Sequence, residues 1–142
     1  MSENKPRVTG IGGIFFKSDN PDKMKEWYTK NLGLVKNEYG SLFEFRDSNN
    51  PESKGYLQWS PFEKETKYFA PSSKDYMINY RVVNIEAMIE NMRSEGIEII
   101  GEIEEYEYGK FAHIVDPEGN KIELWEPVDK VFTDLYEGNT TK

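Results

Sequence analysis

The amino-acid sequence predicts an α+β fold in which two tandem β-α-β-β-β modules form one curved mixed sheet. The same order of strand and helix patterns occurs twice along the 142 residues, and equivalent positions lie about 64 residues apart. A module of half this length would bury too little surface to be stable alone, so the two copies are expected to share a core. We therefore expect one domain over residues 8–127, made of module 8–61 and module 76–127, with a connector at 62–75 and a C-terminal tail at 128–142.

The first module begins with a predicted strand at residues 11–16 (IGGIFF). Asn20 suits a helix N-cap and Pro21 the first helical position. Apolar side chains then recur at helical spacing, and Gly33 stands where a helix commonly ends. Three short strands are expected after this helix, at residues 34–39, 42–46 and 56–60.

The second module repeats this order. Residues 76–82 (YMINYRV) predict a strand, Asn84 is the N-cap candidate of the next helix, and Gly96 ends that helix. The segment Tyr39-Gly40 of the first module matches Tyr108-Gly109 of the second. Three further strands are expected at residues 98–104, 111–115 and 121–125.

The two segments outside the modules also carry expectations. The connector is long for a structureless loop, and such loops are often binding loops. Its aromatic residues Phe62, Tyr68 and Phe69 could cover a pocket or could only pin the loop itself. Residues 128–136 predict a short helix, and residues 138–142 are expected to be disordered.

Alternation along the predicted strands separates two faces of the sheet. One face is mostly apolar and is expected to pack against the two helices, which places those helices on the convex side. The opposite face mixes aromatic and polar side chains, as a small-molecule pocket does, although a face covered by a partner subunit is the alternative. The candidate ligand-binding residues on this face are Phe15, Gln58, Met77, Asn79, Arg81, Phe111 and Trp125.

The only histidine also lies on the mixed face. Residues 116–120 (DPEGN) predict a tight hairpin that places His113 directly opposite Glu123. A histidine next to a carboxylate can exchange protons near neutral pH, so His113 and Glu123 are the catalytic candidates. A purely structural ion pair is the alternative.

Composition and charge exclude several classes of function. The formal net charge is −8, which argues against nucleic-acid and anionic-membrane partners. Cysteine is absent and histidine occurs once, which excludes disulfides, thiolate catalysis and metal sites built from several histidines. No stretch approaches the roughly 18 apolar residues of a membrane span, and the N-terminus does not have the pattern of a signal peptide. A cytoplasmic protein is expected.

Residues 10–34 and 108–127, the latter ending in DPEGNKIELWEP, resemble the vicinal oxygen chelate superfamily. This group includes glyoxalase I, bleomycin-resistance proteins, fosfomycin-resistance transferases and extradiol dioxygenases. The resemblance extends over about residues 8–127 and is greatest to glyoxalase-like proteins of uncharacterised function. It implies a cup-shaped sheet, a small-molecule ligand, a homodimer and, in the enzymes, a divalent metal in the cup.

The resemblance also identifies four positions where a metal would be bound. They fall near Gly13 and Met77 on the first strands and at Gln58 and Glu123 on the last strands. Glycine and methionine cannot hold a hard metal, so a divalent metal is disfavoured and Glu123 is the remnant ligand. His113 stands where fosfomycin-type members have a substrate-contacting tyrosine, which implies that it faces the ligand.

Three hypotheses about function remain open. The first is an enzyme acting on a small oxygen-rich molecule by lyase- or isomerase-type acid/base catalysis without a complete metal site, with Asn79 and Arg81 orienting an oxygen. The second is a protein that binds and sequesters a cationic compound, as bleomycin-resistance proteins do. The third is a divalent-metal-dependent glyoxalase I.

Overall fold

The computed structural model describes residues 4–142 and confirms the predicted α+β class. Eight strands of this part of the chain form one open mixed sheet in the order β2-β3-β4-β1-β5-β8-β7-β6. The strands are β1 (Arg7–Ser18), β2 (Lys36–Asn37), β3 (Gly40–Asp47), β4 (Asn50–Glu63), β5 (Tyr76–Val83), β6 (Ile99–Tyr106), β7 (Gly109–Val115) and β8 (Lys121–Pro127). The helices are α1 (Pro21–Leu32), α2 (Ile85–Ser94) and α3 (Asp129–Tyr136).

The centre of the sheet is an antiparallel pairing of β1 with β5, the first strand of each module. Each of these strands also pairs in parallel with the last strand of its own module, β1 with β4 and β5 with β8. The four central strands therefore come from both modules in a pseudo-twofold arrangement. This continuity gives the sheet one concave surface to which both modules contribute.

Both predicted helix starts are confirmed by capping. The Asn20 side chain accepts a hydrogen bond from Lys23 N at 3.1 Å, and the Asn84 side chain accepts one from Ala87 N at 3.3 Å. Gly33 ends α1 with a φ of 74°, a left-handed conformation that glycine adopts without steric cost.

The two helices pack very differently on the convex face. Helix α2 contributes Ile85, Met88 and Ile89 to the main core, where they meet Val82 and Leu124 of the sheet. Helix α1 has no buried residue, and Trp27 is 54% exposed. Its clearest contact is the Tyr28 ring, 4.6 Å from that of Trp59. The expected apolar packing is therefore complete in the second module and only partial in the first.

The chain after β8 crosses the concave side of the sheet. The predicted C-terminal helix is confirmed as α3, and its Phe132 ring lies 5.5 Å from that of Trp125. The expectation of a disordered end is wrong, because Thr141 extends the edge beside β3. Its N–H donates to Leu42 O, and its carbonyl accepts from Glu44 N, both at 2.9 Å. Unpaired strand-edge groups explain this order, since a short polar segment can satisfy them.

Strand lengths differ from expectation mainly in the first module. β2 has only two residues, whereas β4 runs over 14 residues instead of the five expected. None of the three helices in the described part of the chain combines the length and the apolar character needed to cross a membrane.

Candidate functional site

A cavity of about 510 Å³ lies between the concave face of the sheet and helix α3, and we call it the cup. Aromatic rings form most of its wall, and carboxylate and amide groups are set among them. The lining residues are Gly12, Phe15, Glu38, Tyr39, Gln58, Asn79, Glu107, Tyr108, Phe111, Glu123, Trp125, Val131, Phe132, Leu135 and Tyr136.

The floor of the cup follows a line across the four central strands. Gly13 is in register with Gln58 on one side and with Asn79 on the other, and Asn79 is in register with Glu123. The residue of β5 opposite Gly13 is therefore Asn79, although the resemblance placed that position near Met77. Met77 instead pairs with Phe15 and is buried against Phe69 of the connector.

Glu123 is the centre of a buried hydrogen-bond network. The residue is 2% exposed, and its Oε1 accepts from Asn79 Nδ2 at 2.7 Å. His113 faces it across the β7–β8 pair as predicted, with Nε2 at 2.8 Å from Oε2. An ionised carboxylate only accepts hydrogen bonds, so both neighbours act as donors. This network holds the charge of Glu123 on the floor of the cup.

Tyr68 of the connector is a member of this network that sequence reasoning did not place there. Its hydroxyl donates to Glu123 Oε2 and lies 3.3 Å from His113 Nε2. Burial, followed by the negative charge of Glu123, raises the pKa of the Tyr68 phenol above its usual value. Tyr68 therefore remains a neutral donor at physiological pH.

Packing around the connector holds Tyr68 in this position. The Phe62 ring stacks on the Tyr68 ring at 5.8 Å, and Lys121 Nζ donates to the Tyr68 carbonyl at 2.7 Å. Burial lowers the pKa of the Lys121 ammonium. The sequence signal was an aromatic residue in an unusually long connection, but three aromatic residues fitted that description equally well.

The Arg81 side chain forms its hydrogen bonds within the protein and does not line the cavity. Its Nη1 and Nη2 donate to Asp129 Oδ1 and Oδ2 at 2.9 and 2.5 Å, and Nη1 also donates to Tyr56 O at 3.2 Å. The guanidinium lies 5.4 Å from the Trp125 ring centroid. Arg81 thus anchors the first turn of α3, and a role in orienting a ligand oxygen stays a prediction without support from its placement.

The remaining predicted ligand-binding residues divide into two groups. Phe15, Gln58, Phe111 and Trp125 line the cup, as Asn79 does, whereas Met77 and the catalytic candidate His113 are not among its lining residues. The Phe111 and Trp125 rings stack at 5.8 Å. Gln58 Nε2 donates to Ser41 O and Trp59 O, both at 3.2 Å, so its amide nitrogen is already occupied by the backbone.

The donor set does not fit a divalent metal. Both oxygens of Glu123 already accept hydrogen bonds, and Gly13 offers no side chain. Across residues 4–142, no three His, Cys, Asp or Glu side chains come close enough together to hold a metal ion. A catalytic metal normally needs about three protein ligands, and the floor of the cup supplies only one carboxylate.

A repeated Glu-Tyr-Gly segment brings residues to the cup that sequence reasoning did not assign to a site. Glu38 and Tyr39 come from the first copy, and Glu107 and Tyr108 from the second. The glycine that follows in each copy has a φ of 145° or 136°. A Cβ at either glycine would collide with a backbone carbonyl oxygen of the neighbouring strand, Trp59 O or Glu126 O. The matched Tyr-Gly pairs in the sequence were the signal from which these cup residues could have been predicted.

Solved structures with a similar fold have very different described activities. Methylmalonyl-CoA epimerase from Mycobacterium tuberculosis is 21% identical, with 87% of this chain and 91% of that chain covered and a TM-score of 0.55. The Streptomyces coelicolor epimerase in complex with 2-nitronate-propionyl-CoA is 16% identical, with 86% and 99% covered and a TM-score of 0.61. A Legionella pneumophila protein described as an NAD-dependent benzaldehyde dehydrogenase is 16% identical, with 81% and 97% covered and a TM-score of 0.50.

These identities establish a shared fold and do not transfer an activity. No curated protein matches this chain. The family model described as Glyoxalase/Bleomycin resistance protein/Dioxygenase superfamily matches residues 10–124, which confirms the resemblance seen in the sequence. The chain therefore belongs to the Glyoxalase/Bleomycin resistance protein/Dioxygenase superfamily.

Proposed function

We propose that the cup binds a small cationic molecule that also has an aromatic or other apolar part. The observation that carries this proposal is the chemistry of the described lining residues. They include the carboxylates Glu38, Glu107 and Glu123 and a wall of aromatic rings, but no lysine, arginine or histidine. A cation placed there would meet carboxylates and ring faces, both of which attract positive charge.

The protonation state of two tyrosines that line the cup also supports a cationic ligand. Burial and the nearby Tyr39 raise the pKa of Tyr108, and burial with the charge of Glu38 raises the pKa of Tyr136. These rings therefore stay neutral and present their π faces to the cavity. The net charge of −8 would also increase the rate at which a cation reaches the cup.

The same lining disfavours the ligands of the structural neighbours. An acyl-CoA such as the one in the Streptomyces coelicolor complex carries several phosphate charges. Phosphates are normally bound by arginine, lysine or backbone N–H groups, and the described cup presents no basic side chain. We therefore do not extend CoA-ester binding to this protein.

Calorimetric titration with three matched aromatic compounds tests the proposal. We expect benzylammonium to bind more tightly than benzyl alcohol, benzoate to bind weakest, and added salt to weaken the binding of benzylammonium. Glu107→Gln should weaken benzylammonium binding several-fold, whereas Glu105→Gln, a matched change on exposed β6, should leave it unchanged. Equal binding of the three compounds, or binding of none, would contradict the proposal.

Acid/base catalysis on a small oxygen-rich molecule is the second candidate function. It is favoured by the connected Tyr68, His113 and Glu123 network, because Glu123 also lines the cup. Such a network could move a proton to or from a bound molecule. Deuterium uptake from solvent into small 2-hydroxy and 2-oxo compounds, followed by NMR, should occur with the wild type and be lost in Glu123→Gln. Equal uptake in both proteins would exclude Glu123 as the base.

The expected homodimer and the expected cytoplasmic location stay predictions. Light scattering of the purified protein would test the first, and fractionation of the source cells would test the second.

A further inference from the structure

We propose that Asn79 makes the cup selective for cations that carry an N–H bond, such as primary ammonium, amidinium or guanidinium groups, over quaternary ammonium groups. This inference rests on the proposed function and specifies its ligand class. It starts from a polar atom on the floor of the cup that the protein itself leaves without a hydrogen bond.

The orientation of the Asn79 amide follows from its neighbour. Its Nδ2 donates to Glu123 Oε1 at 2.7 Å, inside a buried network. Because a carboxylate accepts and does not donate, the amide nitrogen must face Glu123. The carbonyl oxygen, Oδ1, therefore points away from the carboxylate.

Asn79 Oδ1 is a buried acceptor without a partner. The residue is 1% exposed, and no described group donates a hydrogen bond to this oxygen. A buried acceptor without a donor is costly, so such groups are uncommon and call for an explanation. A ligand that donates to Oδ1 would remove this cost on binding.

Gly12 packs directly against this oxygen. A Cβ at residue 12 would collide with Asn79 Oδ1 and would lie 2.8 Å from Arg81 Cγ and 2.9 Å from Trp125 Cε3. Gly12, Asn79 and Trp125 all line the cup. Asn79 thus borders the cavity at a point where β1 contributes only backbone, and a ligand would reach Oδ1 from this side.

The neighbouring polar groups on the floor favour a ligand group that donates a hydrogen bond. Glu123 presents only acceptor oxygens, and the Gln58 amide nitrogen is held by two backbone carbonyls. A ligand group that reaches Asn79 must therefore supply its own hydrogen. Combined with the acidic wall, this requirement selects a cation with an N–H bond, which a trimethylammonium group does not have.

The experiment compares two probes, benzylammonium and benzyltrimethylammonium, by calorimetric titration. In the wild type we expect benzylammonium to bind about tenfold more tightly, as a hydrogen bond to a charged donor would produce. In Gly12→Ala this ratio should fall to near one, because the new methyl group occupies the space beside Oδ1. Gly10→Ala is the matched control, since a Cβ at that position meets nothing within 4 Å and should leave the ratio unchanged.

A second variant covers the outcome in which Gly12→Ala does not fold. Asn79→Leu has the same number of side-chain heavy atoms but no carbonyl oxygen, and it should also lose the preference for the N–H probe. Equal affinities of the wild type for the two probes, or a preference kept in both variants, would overturn the role of Asn79 while leaving cation binding intact. Binding of neither probe would instead contradict the proposed function itself.

Discussion

Tyr68 connects the loop between the two modules to the chemistry of the cup. The residue as a whole is 40% exposed, but its hydroxyl reaches the buried carboxylate of Glu123. Three donors thus serve one carboxylate, from Tyr68, Asn79 and His113. Removing any one of them changes how well a buried negative charge is solvated by the protein.

Tyr68→Phe should reduce the free energy of unfolding by about 1 to 2 kcal/mol, because it removes one hydrogen bond to a charged group and keeps the ring. Urea denaturation measures the change. Tyr76→Phe is the matched control on a tyrosine that is 46% exposed, and we expect it to be nearly neutral. A loss of the same size in both variants would show that the hydroxyl of Tyr68 contributes nothing specific.

The raised pKa of Tyr68 predicts a dependence of stability on alkaline pH. Because folding raises this pKa, the stabilising contribution is complete below the ordinary tyrosine value of about 10 and declines as the pH rises towards the folded-state value. The difference in unfolding free energy between wild type and Tyr68→Phe should therefore be constant from pH 7 to 9 and narrow above about pH 10. A difference that widens above that pH would contradict the assignment.

Helix α3 forms one wall of the cup and is attached at both ends. Arg81 holds Asp129 at its start, and Thr141 pairs with β3 beyond its end. Between these points Thr133 Oγ1 lies 2.6 Å from the Tyr56 hydroxyl. A short helix without a buried residue depends on such attachments, because its own hydrogen bonds give it little stability.

Asp129→Asn should loosen α3 and lower the free energy of unfolding by about 2 kcal/mol, since it weakens a partly buried charge pair and leaves Arg81 without a compensating charge. Hydrogen exchange of residues 128–142 should increase more than exchange elsewhere. Asp134→Asn is the control on the same helix, because its ion pair with Lys130 is exposed and worth little. Equal exchange in the two variants would mean that Arg81 does not anchor the helix.

The two modules form a nearly twofold-symmetric scaffold, but they contribute different polar groups to the floor of the cup. The repeated Glu-Tyr-Gly segments place equivalent residues at the cup from both modules. The floor is not symmetric, because Glu123 of β8 corresponds to Gln58 of β4, and Asn79 of β5 faces Gly13 of β1. The ionised group on the floor therefore comes from the second module alone.

The shared sheet predicts that both modules unfold together. The β1–β5 pairing runs from Arg7 opposite Val83 to Phe16 opposite Tyr76, so neither module keeps a complete sheet without the other. Trp125→Phe leaves Trp27 and Trp59 to report on the first module, and a Trp27→Phe/Trp59→Phe double variant leaves Trp125 to report on the second. Fluorescence and circular dichroism should give one denaturation midpoint in each protein. Separate midpoints would show that the modules are independent.

Much of the architecture could be predicted because its signals are local. Caps at Asn20 and Asn84, the 116–120 turn and strand alternation each depend on residues a few positions apart. The turn also set the hairpin register, which placed His113 opposite Glu123. The C-terminal segment was misjudged because its order depends on Leu42 and Glu44, about 100 residues earlier in the chain.

The sequence by itself determined the two modules, their shared sheet and the carboxylate on its concave face, because periodicity and turn chemistry act over short distances. The tertiary structure alone decided that Tyr68 reaches Glu123, that Arg81 holds Asp129 and that Asn79 keeps an unpaired oxygen beside Gly12. These contacts join residues 48 to 67 positions apart, and many side chains of the same type could have made them. Packing selects one combination, because a buried polar group is stable only beside a partner of suitable geometry.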